Sequence, residues 1–139
     1  MTDRRLSPKR GDELELFDEL IYFRDVFPHP GLLLETPLVE VEEWRRPRPK
    51  RQRRFRRSPY VVDDVKLVDV VRSPQYATSQ DVAALLPEVE DELFDTAELA
   101  EAMGLPRWRP QRIAYACRHV GVFEEAGFRA RSRLYRRAA

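Results

Sequence analysis

Cysteine, histidine and long apolar runs are scarce in this sequence, and each absence excludes a class of protein. Cys117 is the only cysteine, and His29 and His119 are the only histidines, among 139 residues. One thiol cannot form a disulfide within the chain, and these three side chains are too few for a typical structural zinc site. No apolar run reaches the roughly eighteen residues of a membrane-spanning helix, and no signal-peptide pattern is present. We therefore expect a cytoplasmic protein with no metal, cofactor or membrane partner, in which Cys117 is a small buried side chain.

Lysine is also rare, and the charged residues are segregated along the chain. There are three lysines against 22 arginines, and the formal net charge is only +1. Nine of the thirteen residues at positions 45–57 are Lys or Arg, and nine further arginines lie at positions 107–137. Positions 88–101, in contrast, carry seven acids and no base. This separation predicts that particular faces of the protein bind anionic partners.

The N-terminal part predicts a flexible segment and then a helix. Residues 1–10 are polar and basic and are expected to be flexible. Residues 11–27 have apolar side chains at helical spacing in a stripe wider than a surface helix with one neighbour needs. We therefore expect this helix to pack on a sheet face or on a partner chain.

Two extended segments follow, at positions 32–44 and 60–71. Valine and glutamate alternate at positions 39–42, which is the period-two pattern of a half-buried strand. The simplest pairing is an antiparallel hairpin of the two segments, packed on the helix of residues 11–27. Together these elements predict a small α+β domain over residues 11–74.

The segment between the predicted strands, residues 45–59, is rich in arginine and proline. Proline opposes regular structure and like charges repel each other, so we expect an exposed basic loop. Such a loop can clamp a phosphate backbone, which makes affinity steeply salt-dependent without adding sequence specificity. Double-stranded DNA is the expected partner, and RNA is the alternative, because arginine-rich segments also bind RNA. A solvated loop without a ligand is the remaining interpretation.

Residues 78–139 predict three helices followed by two short strands. Short side-chain oxygens cap the N-terminus of a helix, and glycine ends a helix in the left-handed conformation. The predicted landmarks are Thr78 or Ser79 at the start of the first helix, Phe94 as a core residue, Asp95 or Thr96 at the start of the second helix, Gly104 at its end, Pro110 at the start of the third, Gly121 at its end, and strands at 122–128 and 133–137.

The third helix has an apolar face and a polar face. Ile113, Ala116, Cys117 and Val120 recur at helical spacing and are expected to point into a core. The other face contains residue types that suit a major groove, since Arg can bind guanine and Gln can bind adenine through paired hydrogen bonds. The residues on this face are Gln111, Arg112, Tyr115, Arg118 and His119.

With this order of elements, residues 78–137 resemble the winged helix-turn-helix family. The resemblance implies that residues 110–120 form a recognition helix in the major groove and that residues 128–137 form a wing on the DNA backbone or minor groove. A winged helix used only for packing or protein contact is the alternative. The residues expected to bind nucleic acid are Arg107, Arg109, Gln111, Arg112, Tyr115, Arg118, His119, Arg129, Arg131 and Arg133, with Arg48, Lys50, Arg51, Arg53, Arg54 and Arg56 in the basic loop.

One enzymatic hypothesis is compatible with the N-terminal half. Restriction-type nuclease folds place acids and an Asp/Glu-x-Lys motif on a hairpin, where they bind Mg²⁺ and activate water. The simpler interpretation is that these residues form cross-strand ion pairs on a solvated sheet face, each worth about 0.2–1 kcal/mol. The weak catalytic candidates are Glu40 and Glu42 on the first strand and Asp64 and Lys66 on the second, with Glu13 or Glu19 on the helix to complete the set.

Three functional hypotheses therefore follow from the sequence. The first is a DNA-binding protein, compatible with transcription regulation, with an α+β domain at 11–74 and a winged helix-turn-helix domain at 78–139. The second is a Mg²⁺-dependent nuclease that is targeted by its winged helix. The third is an interaction or assembly module, in which the apolar face of residues 14–27 binds a protein partner or a second copy of the chain.

Overall fold

The computed structural model describes residues 3–51 and 58–139, and the chain forms two compact units. The core unit comprises Met1–Thr36 and Gln75–Ala139, and the hairpin unit comprises Pro37–Pro74. Helices and antiparallel hairpins occur together, so the predicted mixed α+β class is confirmed. The elements are α1 (Leu16–Phe23), β1 (Leu34–Glu35), β2 (Leu38–Pro47), β3 (Tyr60–Arg72), β4 (Gln75–Tyr76), α2 (Ser79–Ala83), α3 (Thr96–Met103), α4 (Trp108–His119), β5 (Phe123–Arg129) and β6 (Ser132–Arg137).

The N-terminal helix is shorter than the predicted span of residues 11–27. A single 3₁₀ turn at Glu13–Glu15 precedes α1, and α1 ends at Phe23. Neither the turn nor α1 has a side-chain hydrogen bond at its N-cap. The start of the helix therefore depends on the acids in its first turn and on tertiary packing. Phe27 lies beyond the end of the helix and is nevertheless buried.

The division of the chain also differs from the predicted domain boundaries at 11–74 and 78–139. Helix α1 packs on α4, and Leu16, Phe17 and Leu20 belong to a core cluster whose buried members all lie in the core unit. The predicted domain, which joined this helix to the β2–β3 hairpin, therefore differs from the observed core unit, which contains the helix. An apolar stripe shows that a helix must be covered, but it does not show which element covers it.

The hairpin unit consists of β2 and β3, which pair antiparallel as predicted. β2 has ten residues and β3 has thirteen, and three register shifts accommodate the difference. At these shifts Val71, Val68 and Asp63 of β3 have no residue directly opposite on β2. Such β-bulges disrupt the ladder locally and increase the twist of the strand. None of the described residues of this unit is buried, so the hairpin has no core of its own.

The chain leaves and re-enters the core unit through the short antiparallel pair of β1 and β4. Immediately afterwards, Thr78 caps α2 as predicted: its hydroxyl accepts a hydrogen bond from the Asp81 N–H. The Asp81 carboxylate accepts in return from the N–H groups of Thr78 and Ala77. These hydrogen bonds to the charged form lower the pKa of Asp81.

Helix α3 begins and ends at the predicted residues. The Asp95 carboxylate accepts hydrogen bonds from the N–H groups of Ala97 and Glu98, and the Glu98 carboxylate accepts from the Asp95 N–H. Gly104 follows the helix at φ 64° and ψ 34°, a conformation that costs glycine little. Helix α4 begins at Trp108, two residues before the predicted Pro110, which therefore lies within the first turn, where a missing N–H costs nothing.

The antiparallel strands β5 and β6 follow α4, close to their predicted positions. Phe94 forms an isolated bridge with Tyr135, and each residue donates its N–H to the other's carbonyl at 3.0 and 2.8 Å. The Phe94 ring is buried, and its centroid lies 5.0 Å from that of Phe123 in an edge-to-face arrangement. Phe94 therefore links the segment before α3 to the hairpin after α4, as expected of a core residue at this point.

Candidate nucleic-acid interface

Helix α4 presents one polar and aromatic side to solvent while its other side lies in the core. We call the exposed side the α4 face, and define it by Trp108, Gln111, Arg112, Tyr115 and His119. All five residues are exposed, and their spacing of three or four residues along the helix, with Gln111 and Arg112 adjacent, places them on one side. Four of them were predicted from the sequence. Trp108 was missed, although it precedes Gln111 by three residues and Tyr115 by seven.

The flat side chains of the α4 face contact one another. The Arg112 guanidinium carbon lies 5.4 Å from the centroid of the Trp108 ring, and the Tyr115 and His119 rings are 4.6 Å apart. Arg24 donates a hydrogen bond of 2.6 Å to the Tyr115 hydroxyl. Aromatic rings and guanidinium planes are surfaces on which nucleic-acid bases stack. No local pattern could have predicted Arg24, because it is 91 residues from Tyr115 along the chain.

Acidic residues in α1 and just before it contact two of the predicted DNA-binding arginines. The Arg109 Nη2 lies 2.5 Å from the Asp12 carboxylate, and the Arg112 Nη1 lies 3.4 Å from the Asp18 carboxylate. The Arg109 side chain is only 19% exposed, and its hydrogen bond with Asp12 raises its pKa. Arg109 therefore belongs to the contact between the N-terminal segment and α4. Arg112 stays largely exposed and can exchange its acidic partner for a phosphate.

The arginines of the β5–β6 hairpin are mostly paired with acids of the core unit. Glu125 accepts from both Arg118 at 2.8 Å and Arg133 at 2.7 Å. Arg129 donates to Glu98 at 2.9 Å, and this contact raises its pKa. The sequence had shown the arginines of the predicted wing but not that nearby acids neutralise them. The predicted wing is therefore less positive than its arginine count suggests.

Two of the predicted arginines in the C-terminal half have no acidic partner among the described residues. The side chains of Arg107 and Arg131 are exposed, and neither has an ion-pair partner within residues 3–51 and 58–139. Arg107 immediately precedes α4, and Arg131 lies at the tip of the β5–β6 hairpin beside Ala130, which has a positive φ of 55°. Phe128, beside the tip, is 66% exposed. These positions are the most available cations of the C-terminal half.

The basic loop is shorter than the predicted residues 45–59, because β2 continues through Pro47, and only the two ends of the loop are described. Arg48 holds the end of the hairpin closed: its N–H donates to the Pro59 carbonyl at 2.8 Å, and its Nε donates to the Ser58 carbonyl at 3.0 Å. Arg48 is therefore partly structural. Lys50 and Arg51 are exposed. The remaining candidates, Arg53, Arg54 and Arg56, lie outside the described residues.

The nuclease candidates on the hairpin are not arranged as a metal site. Glu42 lies directly opposite Lys66, and Asp64 lies opposite Trp44, whose ring centroid is 5.0 Å from the Lys66 Nζ. Glu40 lies opposite a second carboxylate, that of Asp69. Glu13 and Glu19, the acids expected to complete the metal site, belong to the core unit and not to the hairpin unit. In the part of the chain that the structure describes, no three His, Cys, Asp or Glu side chains are grouped as metal ligands would be.

The apolar face of residues 14–27, predicted to bind a partner or a second copy, is instead largely buried within the chain. Leu16, Phe17, Leu20 and Phe27 are each at most 7% exposed and belong to the core cluster. Phe23, which is 45% exposed, is the part of this stripe that stays at the surface, so the proposed binding of a partner stays a prediction for this part alone. The stripe is wide because α1 is embedded in the core.

Cys117 is buried on the inner side of α4, as predicted. Burial raises the pKa of its thiol, because the thiolate would lose its hydration. At neutral pH this side chain is a protonated, unreactive core residue.

Comparison with known proteins identifies one family. The family model described as "Domain of unknown function (DUF8091)" matches residues 1–77, which is more than half of the chain. The chain therefore belongs to this family. No curated protein and no solved structure matches the chain. Among the described residues, no helix has the length and apolar character needed to cross a membrane.

Proposed function

We propose that this member of the DUF8091 family binds double-stranded DNA through its C-terminal half, with α4 as the recognition helix of a winged helix-turn-helix. In this proposal α4 enters the major groove, the β5–β6 hairpin acts as the wing, and the basic loop of residues 45–59 contacts the phosphate backbone. Transcription regulation is the biological role that such binding would fit. RNA binding by the basic loop is the competing possibility within this proposal.

The α4 face is the observation that carries the proposal. Its side chains include the donors and acceptors that can recognise bases, Gln111 and Arg112, and flat groups that can pack against the sugar-phosphate backbone. This face is exposed although α1 packs beside it and its acids contact the same helix. A helix used only for internal packing would not need a tryptophan that is 55% exposed at its start.

The order of elements gives independent support. A short helix, a bridged residue, two helices joined by a tight turn and a β-hairpin occur in the order α2, Phe94, α3, α4, β5–β6. Proteins with this order commonly place the second of the paired helices in the major groove. The wing tip at Arg131 and the helix start at Arg107 are then the positions from which a cation can contact phosphates.

The mechanism divides the residues into two groups with different effects. Arg107, Arg131 and the basic loop would neutralise phosphates and release counterions, which supplies affinity for any sequence. Gln111 and Arg112 would contact base edges and supply preference among sequences. The ion pair between Arg112 and Asp18 is weak enough to be exchanged, because its closest atoms are 3.4 Å apart and both side chains are exposed.

The experiment that tests this proposal is a fluorescence-anisotropy titration with a random duplex of about 30 base pairs at several salt concentrations. The wild-type chain should bind, with affinity that falls steeply as salt increases. The double variant Arg107→Ala/Arg131→Ala should bind all sequences more weakly. It should also reduce the slope of log affinity against log salt by about 2, since each lost phosphate contact contributes roughly 0.9.

A matched control is the double variant Arg5→Ala/Arg10→Ala, which removes the same charge from the exposed N-terminal segment. It should leave the salt slope nearly unchanged. Equal losses in the two variants would show that only net charge matters and would overturn the proposed interface. No binding by the wild type at about 50 mM salt would overturn DNA binding altogether. Tighter binding of an RNA competitor of equal length would identify RNA, and not DNA, as the preferred ligand.

A second test addresses sequence reading by α4. After selection of a preferred duplex from a random pool, Gln111→Ala should weaken binding to that duplex by about 5- to 150-fold, the range for one base contact. Its affinity for random duplex should change little. Equal weakening on both duplexes would mean that Gln111 contacts the sugar-phosphate backbone of the DNA and not a base.

A further inference from the structure

The hairpin unit has one open strand edge that is regular enough to pair with another strand. β2 and β3 form a two-stranded sheet, so each strand has one edge without a neighbouring strand in the described residues. The edge of β3 is interrupted by the three bulges at Asp63, Val68 and Val71, and bulges of this kind hinder further pairing. β2 has no bulged residue over its ten residues.

The charges of β2 are antisymmetric about Trp44. Glu43 is one residue before Trp44, and Arg45 is one residue after it. Glu42 is two residues before Trp44, and Arg46 is two residues after it. The same mirror relates Glu40 to Arg48. Two copies of β2, paired antiparallel around a twofold axis at Trp44, would therefore place every one of these acids opposite an arginine of the second copy. An axis one residue away, at Glu43 or Arg45, would instead place two identical charges opposite each other.

Except at Pro47, the last residue of β2, which has no N–H, the backbone directions are compatible with the same axis. The Arg48 N–H points into the hairpin, since it donates to the Pro59 carbonyl. Backbone groups alternate direction along a regular strand, so Trp44 also points inward while Glu43 and Arg45 point to the open edge. Glu43 and Arg45 of the second copy would then share a pair of backbone hydrogen bonds. The two Trp44 residues would form the closer, non-hydrogen-bonded pair, where large side chains interact best.

Pairing would also remedy a weakness of the hairpin. An isolated two-stranded hairpin is at best marginally stable in water, and three or more strands are needed for independent stability. Trp44 is 41% exposed and Val41 is 50% exposed. A second copy would cover part of both side chains and would extend the sheet to four strands.

We propose that the β2 edge is a homodimer interface, in which two chains pair antiparallel through residues 40–48 around a twofold axis at Trp44. The partner is a second copy of this chain, because the charge pattern of this strand is complementary to itself, read in the opposite direction, at all three acid–arginine pairs. This surface shares no residue with the α4 face, but Arg45, Arg46 and Arg48 also belong to the segment of residues 45–59 that is proposed to contact phosphate. The dimer itself is argued without reference to DNA. A dimer would carry two copies of that face, one on each chain.

The test uses two charge-reversed chains, Glu43→Arg and Arg45→Glu. In either variant alone, the twofold axis brings two pairs of like charges together, and the dimer should weaken by about tenfold or more. In a mixture, each arginine pair of one chain faces the glutamate pair of the other, so a heterodimer should form with near wild-type affinity. Sedimentation equilibrium of the full chains, one carrying a fluorescent label, measures all three associations.

This mixing experiment separates pairing between chains from contacts within one chain. Glu43 and Arg45 also form an ion pair within β2, and both variants lose it, so recovery on mixing cannot come from restoring that pair. Circular dichroism of each variant verifies that the core unit stays folded. A wild-type chain that stays monomeric at about 100 μM, a concentration at which a weak specific dimer is detectable, would overturn the proposal. A wild-type dimer that neither variant weakens would show that the chains do not pair through the β2 edge around Trp44.

Discussion

The core unit and the hairpin unit are stabilised in different ways although they belong to one chain of ordinary composition. Every buried residue of the described chain lies in the core unit, and none lies in the hairpin unit. The core unit can therefore rely on apolar burial, at about 25 cal/mol per Å². The described residues of the hairpin unit instead make contacts at the surface, such as the Arg45 guanidinium 3.9 Å from the centre of the Tyr60 ring across the strands. The difference shows that alternating valines predict a strand but do not provide a core.

The largest expected contrast between the units is in thiol accessibility. Cys117 is fully buried and its pKa is raised, so it should react with a thiol reagent only when the core unit opens. We expect labelling at least about 1,000-fold slower than for a free thiol. A cysteine introduced as Val65→Cys, at a position 54% exposed, should react at nearly the free rate. Mass spectrometry over time measures the labelling rate of each cysteine. Equal rates at the two positions would contradict this prediction.

Large-to-small substitutions should separate the units by stability. Phe94→Ala removes a buried ring that contacts both Phe123 and Tyr135, and should lower the free energy of unfolding by about 3–5 kcal/mol. Val65→Ala in the hairpin should change it by no more than about 0.5 kcal/mol. Urea unfolding monitored by circular dichroism measures both. Similar losses for the two variants would mean that the hairpin contributes to the same cooperative core.

A smaller effect is expected at the start of α3. Asp95→Ala removes the acceptor for the N–H groups of Ala97 and Glu98 and should destabilise the core unit by about 1 kcal/mol, within the usual 0.5–2. Asp95→Asn keeps an acceptor oxygen and should recover most of this loss. If both substitutions were equally harmful, the charge of Asp95 would matter more than its capping hydrogen bonds.

The smallest effect concerns pH. Backbone hydrogen bonds from Ala77 and Thr78 hold the pKa of Asp81 below its ordinary value of 3.8. Because the folded state binds this proton less readily than the unfolded state, Asp81 stabilises the fold above pH 3.8. This contribution is lost as the pH falls from there through the folded pKa. In Asp81→Asn the acid side of the stability curve should be slightly flatter, and an unchanged curve would exclude a role for this carboxylate.

The sequence predicted local structure better than it predicted packing. Thr78, Asp95 and Gly104 lie at the predicted helix ends because capping depends on backbone groups within three or four residues. The β2–β3 pairing was also predicted, since two alternating segments that follow each other along the chain, with one loop between them, have one simple partner. The length of α1 and the domain boundaries were not predicted, because both depend on which distant element covers the apolar stripe. The exposed residues of α4 were mostly predicted, whereas the acids that contact its arginines were not.

The order of helices and strands, the capping residues and the two faces of α4 are properties of the sequence itself, because they depend on neighbours along the chain. Tertiary structure alone decided that α1 belongs with α4, that Arg109 contacts Asp12, and that Arg107 and Arg131 have no ion-pair partner among residues 3–51 and 58–139. These pairings join residues that are far apart in sequence, and no spacing rule records which of many similar charged residues will be adjacent in the fold. The dimer interface proposed at the open edge of β2 depends on both sequence and tertiary structure. The sequence determines its charge pattern, but only the sheet shows that this edge has no neighbouring strand in the described chain.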